Sequence, residues 1–192
     1  MVKFVGKINT AVFISGRGSN FKNLIKFSEK KISPIKIILV VTNNKNAKGL
    51  NFAKNKKIPF LINNFKNKTL SENKIIKRIK KNKIELICLA GFMKILTSDF
   101  IKKYKHPILN IHPSLLPKYK GLNTHQRVIN NNEQFTGSTV HLVNSKLDSG
   151  KIILQRKIKI LKNDNPKTLE KKILKLEHKL YPDAILKLLA NF

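Results

Sequence analysis

The chain alternates short apolar runs with longer segments in which apolar residues recur every three or four positions. Unbroken apolar runs are typical of strands buried on both faces, and the wider spacing is typical of helices packed on one side. In the first half the predicted strands are 11–14, 37–41, 58–62, 85–90 and 107–111, and the predicted helices are 21–27, 47–56 and 70–79. This β-α-β-α order predicts an α/β fold, with a mostly parallel, doubly wound sheet and helices on both of its faces.

The second half predicts an antiparallel element. Residues 138–143 and 151–160 are two predicted strands, joined by the polar segment 144–150. The second strand alternates apolar and charged residues near its end, which suits an edge or a half-exposed position in a sheet.

A C-terminal helix follows. Asn165 and Pro166 predict its start, as the cap and the first residue, and Pro182 predicts a kink or a break in it. Because no repeat or linker interrupts residues 1–192, we expect a single domain.

Composition restricts the class of protein. With 41% hydrophobic residues among 192, the chain can bury one good core. Its longest aliphatic run, 37–41, is far shorter than the roughly 20 residues that cross a membrane, and residues 1–7 lack the apolar stretch of a signal peptide. The only cysteine, Cys88, lies in an apolar run and is predicted to be a small core residue. We therefore expect a cytoplasmic protein.

The formal net charge of +30 should attract anionic ligands, and taken alone it favours nucleic acid. Only four of the 40 basic residues are Arg, the residue that nucleic-acid readers use for bidentate contacts. The lysines are spread along the whole chain among abundant Asn and Ile, as A/T-rich codons would produce. We therefore expect small-molecule partners, no membrane and no nucleic acid, and either a monomer or a homodimer.

Asn110 and His112 form the most informative polar pair. Alternation along the predicted strand places them on the same side, roughly 7 Å apart. The amide of Asn110 can hold a carbonyl oxygen, and His112 can exchange a proton near neutral pH. A polar pair at the end of an apolar strand costs free energy unless it is hydrogen-bonded or used.

The segment 16–20 follows a predicted strand and opens a predicted helix. Its glycines let backbone amides approach an anion at the helix N-terminus, and Ser19 adds a hydroxyl donor. Phe21 stands where a dinucleotide fingerprint has its third glycine, so a simple phosphate fits better than NAD or ATP. An ordinary glycine turn capped by Ser is an equally weighted alternative.

Three further features carry weaker signals. Segment 91–96 lies beyond the carboxyl end of a predicted strand, where ligands of α/β sheets bind, although core residues alone explain it more simply. Asp148 would raise the pKa of His112 if the two met, but it also suits a turn with Gly150. Glu177, on the last helix, is a candidate partner for a substrate amine or for a neighbouring lysine.

The remaining histidines show no metal-ligand spacing, and the single Cys argues against a zinc site, so no metal is expected. We interpret them as structural or surface residues: His106, His125, His141 and His178.

Taken together and in this order, these residues resemble phosphoribosylglycinamide formyltransferase, the folate-dependent enzyme of purine synthesis. The resemblance runs from about residue 10 to residue 182, and its specificity comes from the combination rather than from any single motif. The matching segments are 15–20, 90–96, 110–119, 137–141, 147–150, 177–178 and 181–182.

The resemblance implies transfer of a formyl group from 10-formyltetrahydrofolate to the amine of 5-phosphoribosylglycinamide, without a metal. The positions that match the family's catalytic trio are Asn110, His112 and Asp148. The positions that match its substrate-binding residues are Gly18, Ser19, Asn20 and Glu177. The positions that match its folate-binding residues are Met93, Lys94, Ile95, Leu96, Asn144, Leu147 and Asp148, with Lys68 where the family often has an arginine.

Two other functions stay open. Methionyl-tRNA formyltransferase shares the fold, the donor and an Asn-x-His segment, but we expect no room for its additional tRNA-binding domain before residue 192. A non-catalytic RNA-binding relative would keep the lysines, but it would not need Asn110, His112 and Asp148 together.

Overall fold

The structure is a computed structural model that describes residues 6–190. The expectation about a signal peptide concerns mainly residues 1–5, which lie outside the described part. No helix between residues 6 and 190 is long and apolar enough to cross a membrane. The strands are β1 (Ile8–Ile14), β2 (Ile35–Thr42), β3 (Phe60–Ile62), β4 (Leu86–Leu89), β5 (Ile108–His112), β6 (Phe135–Leu142) and β7 (Ile152–Lys159). The helices are α1 (Ser19–Ser28), α2 (Leu50–Asn55), α3 (Lys68–Lys81), α4 (Ser98–Tyr104), α5 (Thr124–Asn130) and α6 (Pro166–Leu189).

The strands form one sheet in the order β3-β2-β1-β4-β5-β6-β7. β1 pairs with β2 and β4 in parallel, and β2 pairs with β3 in parallel. β6 and β7 are antiparallel, and β7 is an edge strand. The predicted fold class and the predicted edge position are therefore confirmed.

The chain divides into two compact units, whose described parts are residues 6–109 and 110–190. This division does not decide whether the chain is a single domain, which stays a prediction. The core of the first unit consists of the apolar strands, and Ala11, Val12 and Phe13 of β1 have no exposed surface. Cys88 is also fully buried, as predicted for a small core residue.

Helix α4 was missing from the sequence prediction. It has only seven residues, and its buried apolar side chains, Phe100 and Tyr104, are spaced by a single interval of four. Its start is set by hydrogen bonds, because the Thr97 side chain accepts from the backbone N–H of Phe100 and Glu72 Oε1 accepts from the backbone N–H of Thr97 at 2.8 Å. A buried carboxylate from α3 thus fixes a helix that periodicity alone does not reveal.

The second unit is built on the long helix α6. Its N-cap is Asn165, with Pro166 at the first position and a capping box closed by Thr168, as the sequence predicted in part. The predicted break at Pro182 is wrong, because α6 continues through it to Leu189. Tyr181 has no exposed surface, so burial on this stretch of the helix offsets the hydrogen bond that proline cannot donate.

We expect Asn165→Ala to lower the free energy of unfolding by about 1 kcal/mol, because two backbone N–H groups of α6 lose their acceptor. Urea denaturation measures this difference. Asn73→Ala, at an exposed position inside α3, is the matched control and should leave stability unchanged or slightly higher. Equal stability of the wild type and Asn165→Ala would contradict the capping role.

Candidate active site

His112 is held at the end of β5 by the loop that follows it. The residue is 5% exposed, and Nε2 lies 2.8 Å from the backbone oxygen of Tyr119. Because a carbonyl oxygen only accepts hydrogen bonds, Nε2 carries the proton. In neutral His112 the other nitrogen, Nδ1, is therefore unprotonated and able to accept a proton.

Asp148 lies against that nitrogen. It sits in the turn between β6 and β7, with φ of 44°, and is 8% exposed. Its Oδ2 is 3.4 Å from His112 Nδ1 and accepts a hydrogen bond of 2.9 Å from the backbone N–H of Gly121. Its Oδ1 is 3.5 Å from Asn110 Nδ2. The structure thus brings together the three side chains of the predicted trio.

His141, on β6, is a fourth member of this cluster, which sequence reasoning did not assign to it. It is 2% exposed, so of the two expected settings, structural or surface, it has the structural one. Its Nδ1 donates to the Leu142 backbone oxygen at 2.8 Å, and its Nε2 lies 3.2 Å from Asn110 Nδ2 and 3.6 Å from Asp148 Oδ1. The sequence signal that could have assigned His141 to the cluster is its position near the carboxyl end of β6, where the alternation of side chains along a strand determines which face of the sheet it lies on.

Burial and charge oppose each other at these groups. Burial lowers the pKa of His112 more than the Tyr119 carbonyl and the Asp148 carboxylate raise it. As expected, Asp148 acts to raise the pKa of His112, but burial outweighs it and the net shift of that pKa is downward. Burial also raises the pKa of Asp148, but the close contact with His141, the hydrogen bond from the Gly121 backbone and the nearby ring of His112 outweigh it and lower that pKa below its ordinary value.

The predicted phosphate loop lies in the first unit. Gly18 has φ of 72°, and a Cβ at that position would lie 2.6 Å from the Gly49 Cα, so the turn requires glycine. Helix α1 begins at the next residue, Ser19, and carries no acidic residue in its first turn. Ser19 is half-buried and Asn20 is 8% exposed. The first backbone N–H groups of a helix lack intrahelical partners, which makes this end suitable for an anion.

Segment 91–96 is fastened by a residue that the sequence analysis did not single out. Ser15 Oγ accepts a hydrogen bond of 2.7 Å from the backbone N–H of Met93 and donates to Asn43 Oδ1. Met93 and Ile95 are each 61% exposed, whereas Leu96 is 6% exposed. Lys94 is exposed as well. Apolar side chains on a fixed backbone are thus available to cover a ligand.

The other predicted folate-binding positions are exposed. Lys68 is the first residue of α3. Asn144 shapes the turn after β6, because its Oδ1 accepts a 2.9 Å hydrogen bond from the backbone N–H of Lys146. Leu147, next to Asp148, is 51% exposed.

Glu177 lies on α6 and is 6% exposed. Its Oε1 is 3.4 Å from Ser138 Oγ, and that hydroxyl donates to the His112 backbone oxygen at 2.8 Å. The carboxylate is therefore connected to the backbone that carries His112. Among residues 6–190, no group of three or more His, Cys, Asp or Glu side chains is placed to hold a metal ion.

Comparisons with known proteins agree with this geometry. The formyl transferase family model matches residues 8–185. The chain belongs to the formyl transferase family. The resemblance inferred from the sequence is thus confirmed.

Relatives of this formyl transferase carry more specific names. Phosphoribosylglycinamide formyltransferase of Haemophilus influenzae is 42% identical over 178 residues, which cover 91% of this chain and 84% of that protein. The trifunctional purine biosynthetic protein adenosine-3 of Gallus gallus is 39% identical over 182 residues, 93% of this chain but only 18% of that protein. The crystal structure of phosphoribosylglycinamide formyltransferase from Anaplasma phagocytophilum superposes with a TM-score of 0.88 at 38% identity, covering 96% of this chain and 87% of that one.

The turn that carries Asp148 should depend on Gly150. A Cβ there would lie 1.7 Å from the Leu142 backbone oxygen, so we expect Gly150→Ala to lower the free energy of unfolding by about 2 kcal/mol or more. Gly6→Ala is the matched control, because a Cβ at Gly6 meets nothing within 4 Å. Thermal denaturation of the two variants compares them, and equal melting temperatures would refute the steric argument.

The lowered pKa of His112 should appear in the pH dependence of stability. The unfolded chain binds more protons than the folded one between the ordinary pKa of 6.5 and the lower folded pKa, so stability falls as the pH falls through this window. We expect His112→Gln to lose less unfolding free energy than wild type between about pH 7.5 and about pH 5.5 in urea titrations. His125, whose pKa is lowered mainly by burial, contributes in both proteins. Parallel losses in the two proteins would contradict the assignment.

Proposed function

We propose that this formyl transferase moves the formyl group of 10-formyltetrahydrofolate to the amine of 5-phosphoribosylglycinamide, in de novo synthesis of the purine nucleotide IMP. The observation that carries the proposal is the cluster of the half-buried Asn110 with the buried His112 and Asp148, in which His112 Nδ1 is 3.4 Å from Asp148 Oδ2. The 42% identity to a protein of that name supports the pair of substrates. The proposed location is the cytoplasm, with small-molecule partners and a monomeric or homodimeric enzyme.

Attack of the substrate amine on the formyl carbon places negative charge on the formyl oxygen. Asn110 supplies an amide N–H for this charge, and its contact with Asp148 Oδ1 is long enough, at 3.5 Å, to be exchanged for the ligand. His112 supplies a second donor once it has taken a proton from the attacking amine. A well-placed donor of this kind contributes about 3 kcal/mol of transition-state stabilisation.

The amine must lose a proton and the departing folate nitrogen must gain one. Neutral His112 accepts a proton at Nδ1, directly or through a water held by Asp148, and the carboxylate then stabilises the imidazolium. The same nitrogen returns the proton to the folate nitrogen as the C–N bond breaks. The lowered pKa of His112 favours the neutral form from which this cycle starts.

Substrate binding uses other parts of the chain. The phosphate binds the backbone and side chains of Gly18, Ser19 and Asn20, assisted by the net charge of +30. The carboxylate of Glu177 binds the amine of the phosphoribosylglycinamide substrate. The folate packs on Met93, Lys94, Ile95 and Leu96 and on Asn144, Leu147 and Asp148, with Lys68 as a further contact.

Replacing His112 should test this mechanism. We expect His112→Ala to lower kcat about 10²- to 10⁴-fold with a smaller change in KM, because the proton carrier is lost. Deformylation of the folate donor, followed by absorbance with the glycinamide ribonucleotide as acceptor, measures the rate. His106→Ala, at an exposed histidine, is the matched control and should keep wild-type activity.

The same assay separates the alternatives. Wild-type turnover that survives His112→Ala would refute the mechanism. Formylation of methionyl-tRNA, with tight and salt-sensitive tRNA binding, would favour the tRNA enzyme. Salt-sensitive RNA binding without turnover of either acceptor would favour the non-catalytic relative.

A further inference from the structure

The loop between β5 and α5 carries an unusual backbone conformation at Tyr119. Its φ is 57°, in the left-handed region that a bulky aromatic residue rarely adopts. This conformation directs the Tyr119 backbone oxygen to within 2.8 Å of His112 Nε2. Residues held in such conformations persist only where their surroundings fix them, and they concentrate at functional sites.

Contacts around the Tyr119 ring supply that fixation. The phenol hydroxyl donates to Glu133 Oε1 at 2.9 Å and accepts from Asn131 Nδ2 at 2.9 Å. Lys118 Nζ holds the same Glu133 oxygen at 3.0 Å. The Arg127 guanidinium lies 5.3 Å from the centroid of the tyrosine ring. The ring is therefore anchored on several sides, and its backbone moves little.

The two nitrogens of His112 face two different acceptors. Asp148 Oδ2, at 3.4 Å from Nδ1, would on its own favour the tautomer with the proton on Nδ1. The Tyr119 oxygen, at 2.8 Å from Nε2, favours the opposite tautomer. The shorter contact decides the neutral state, and the imidazolium satisfies both acceptors at once.

We propose that Tyr119 is a positioning residue that fixes the tautomer of His112, keeping the proton on Nε2 and leaving Nδ1 open beside Asp148. The consequence for formyl transfer depends on the proposed function, whereas the tautomer does not. Without the Tyr119 oxygen, the proton moves to Nδ1, and neutral His112 no longer accepts a proton on the side of Asp148.

The test removes the anchor but keeps the ring. In Tyr119→Phe we expect the ¹⁵N NMR signals of His112, assigned by their loss in His112→Gln, to shift from the Nε2–H tautomer towards Nδ1–H. We also expect kcat to fall about 10-fold, with the KM values of both substrates nearly unchanged. Asn131→Ala, which removes one of the two hydrogen bonds to the phenol, should move both readouts the same way and by less.

Tyr104→Phe is the matched control. The hydroxyl of Tyr104, on α4, is buried and has no hydrogen-bond partner among residues 6–190, so this variant should keep the wild-type tautomer and kcat. An Nδ1–H tautomer in the wild type, or an unchanged tautomer in both Tyr119→Phe and Asn131→Ala, would overturn the proposal. A tautomer shift in a protein that does not formylate the glycinamide ribonucleotide would uphold the positioning role and refute the proposed function.

Discussion

The second unit depends on one buried negative charge, the carboxylate of Asp148. A carboxylate that is 8% exposed costs several kcal/mol unless donors replace water around it. The groups around it come from separate places: the backbone N–H of Gly121 and the amide of Asn110 on β5 donate to it, and the rings of His112 and His141 lie 3.4 and 3.6 Å away. Because these groups lie on β5, on β6 and in the loop that follows β5, satisfying this one carboxylate sets the relative positions of β5, β6 and two connecting loops. Burial of the Asp148 carboxylate therefore costs solvation free energy but fixes the geometry of the site.

The same burial decides the resting protonation state from which the proposed proton transfer would start. In water, a carboxylate beside an imidazole would hold it in the charged form, but here burial lowers the pKa of His112 despite Asp148 and the Tyr119 carbonyl. The imidazole is thus neutral at rest, while two acceptors are already aligned with its nitrogens. Protonation changes the charge without moving the surrounding groups, which is the kind of preorganisation that electrostatic catalysis needs.

The sequence predicts the elements that have a repeating pattern of apolar residues, and it misses features that depend on a single contact. The apolar strands can be recognised in the sequence because strands buried on both faces are almost entirely apolar. The burial of β1, β2 and β4 confirms that expectation. Helix α4 depends on a hydrogen bond from Thr97 to the distant Glu72, and α6 passes Pro182 because its neighbours are buried. The trio was found from its motifs. Tyr119, however, acts through a backbone oxygen, which no side-chain pattern encodes.

The placement of the acidic residues bears on the origin of the positive charge. The chain has only ten acidic residues, and five of them occupy positions that require a carboxylate. Glu72 accepts a hydrogen bond from the backbone N–H of Thr97, Glu133 accepts one from the Tyr119 hydroxyl, and Asp148 faces His112. Asp164 accepts one from the backbone N–H of Leu161 before α6, and Glu177 contacts Ser138. The lysines show no matching concentration, since they are spread along the whole chain. The acidic residues lie at defined contacts, whereas the lysines have no preferred place. This distribution favours an origin of the +30 charge in the overall amino-acid composition over a surface adapted to bind one polyanion.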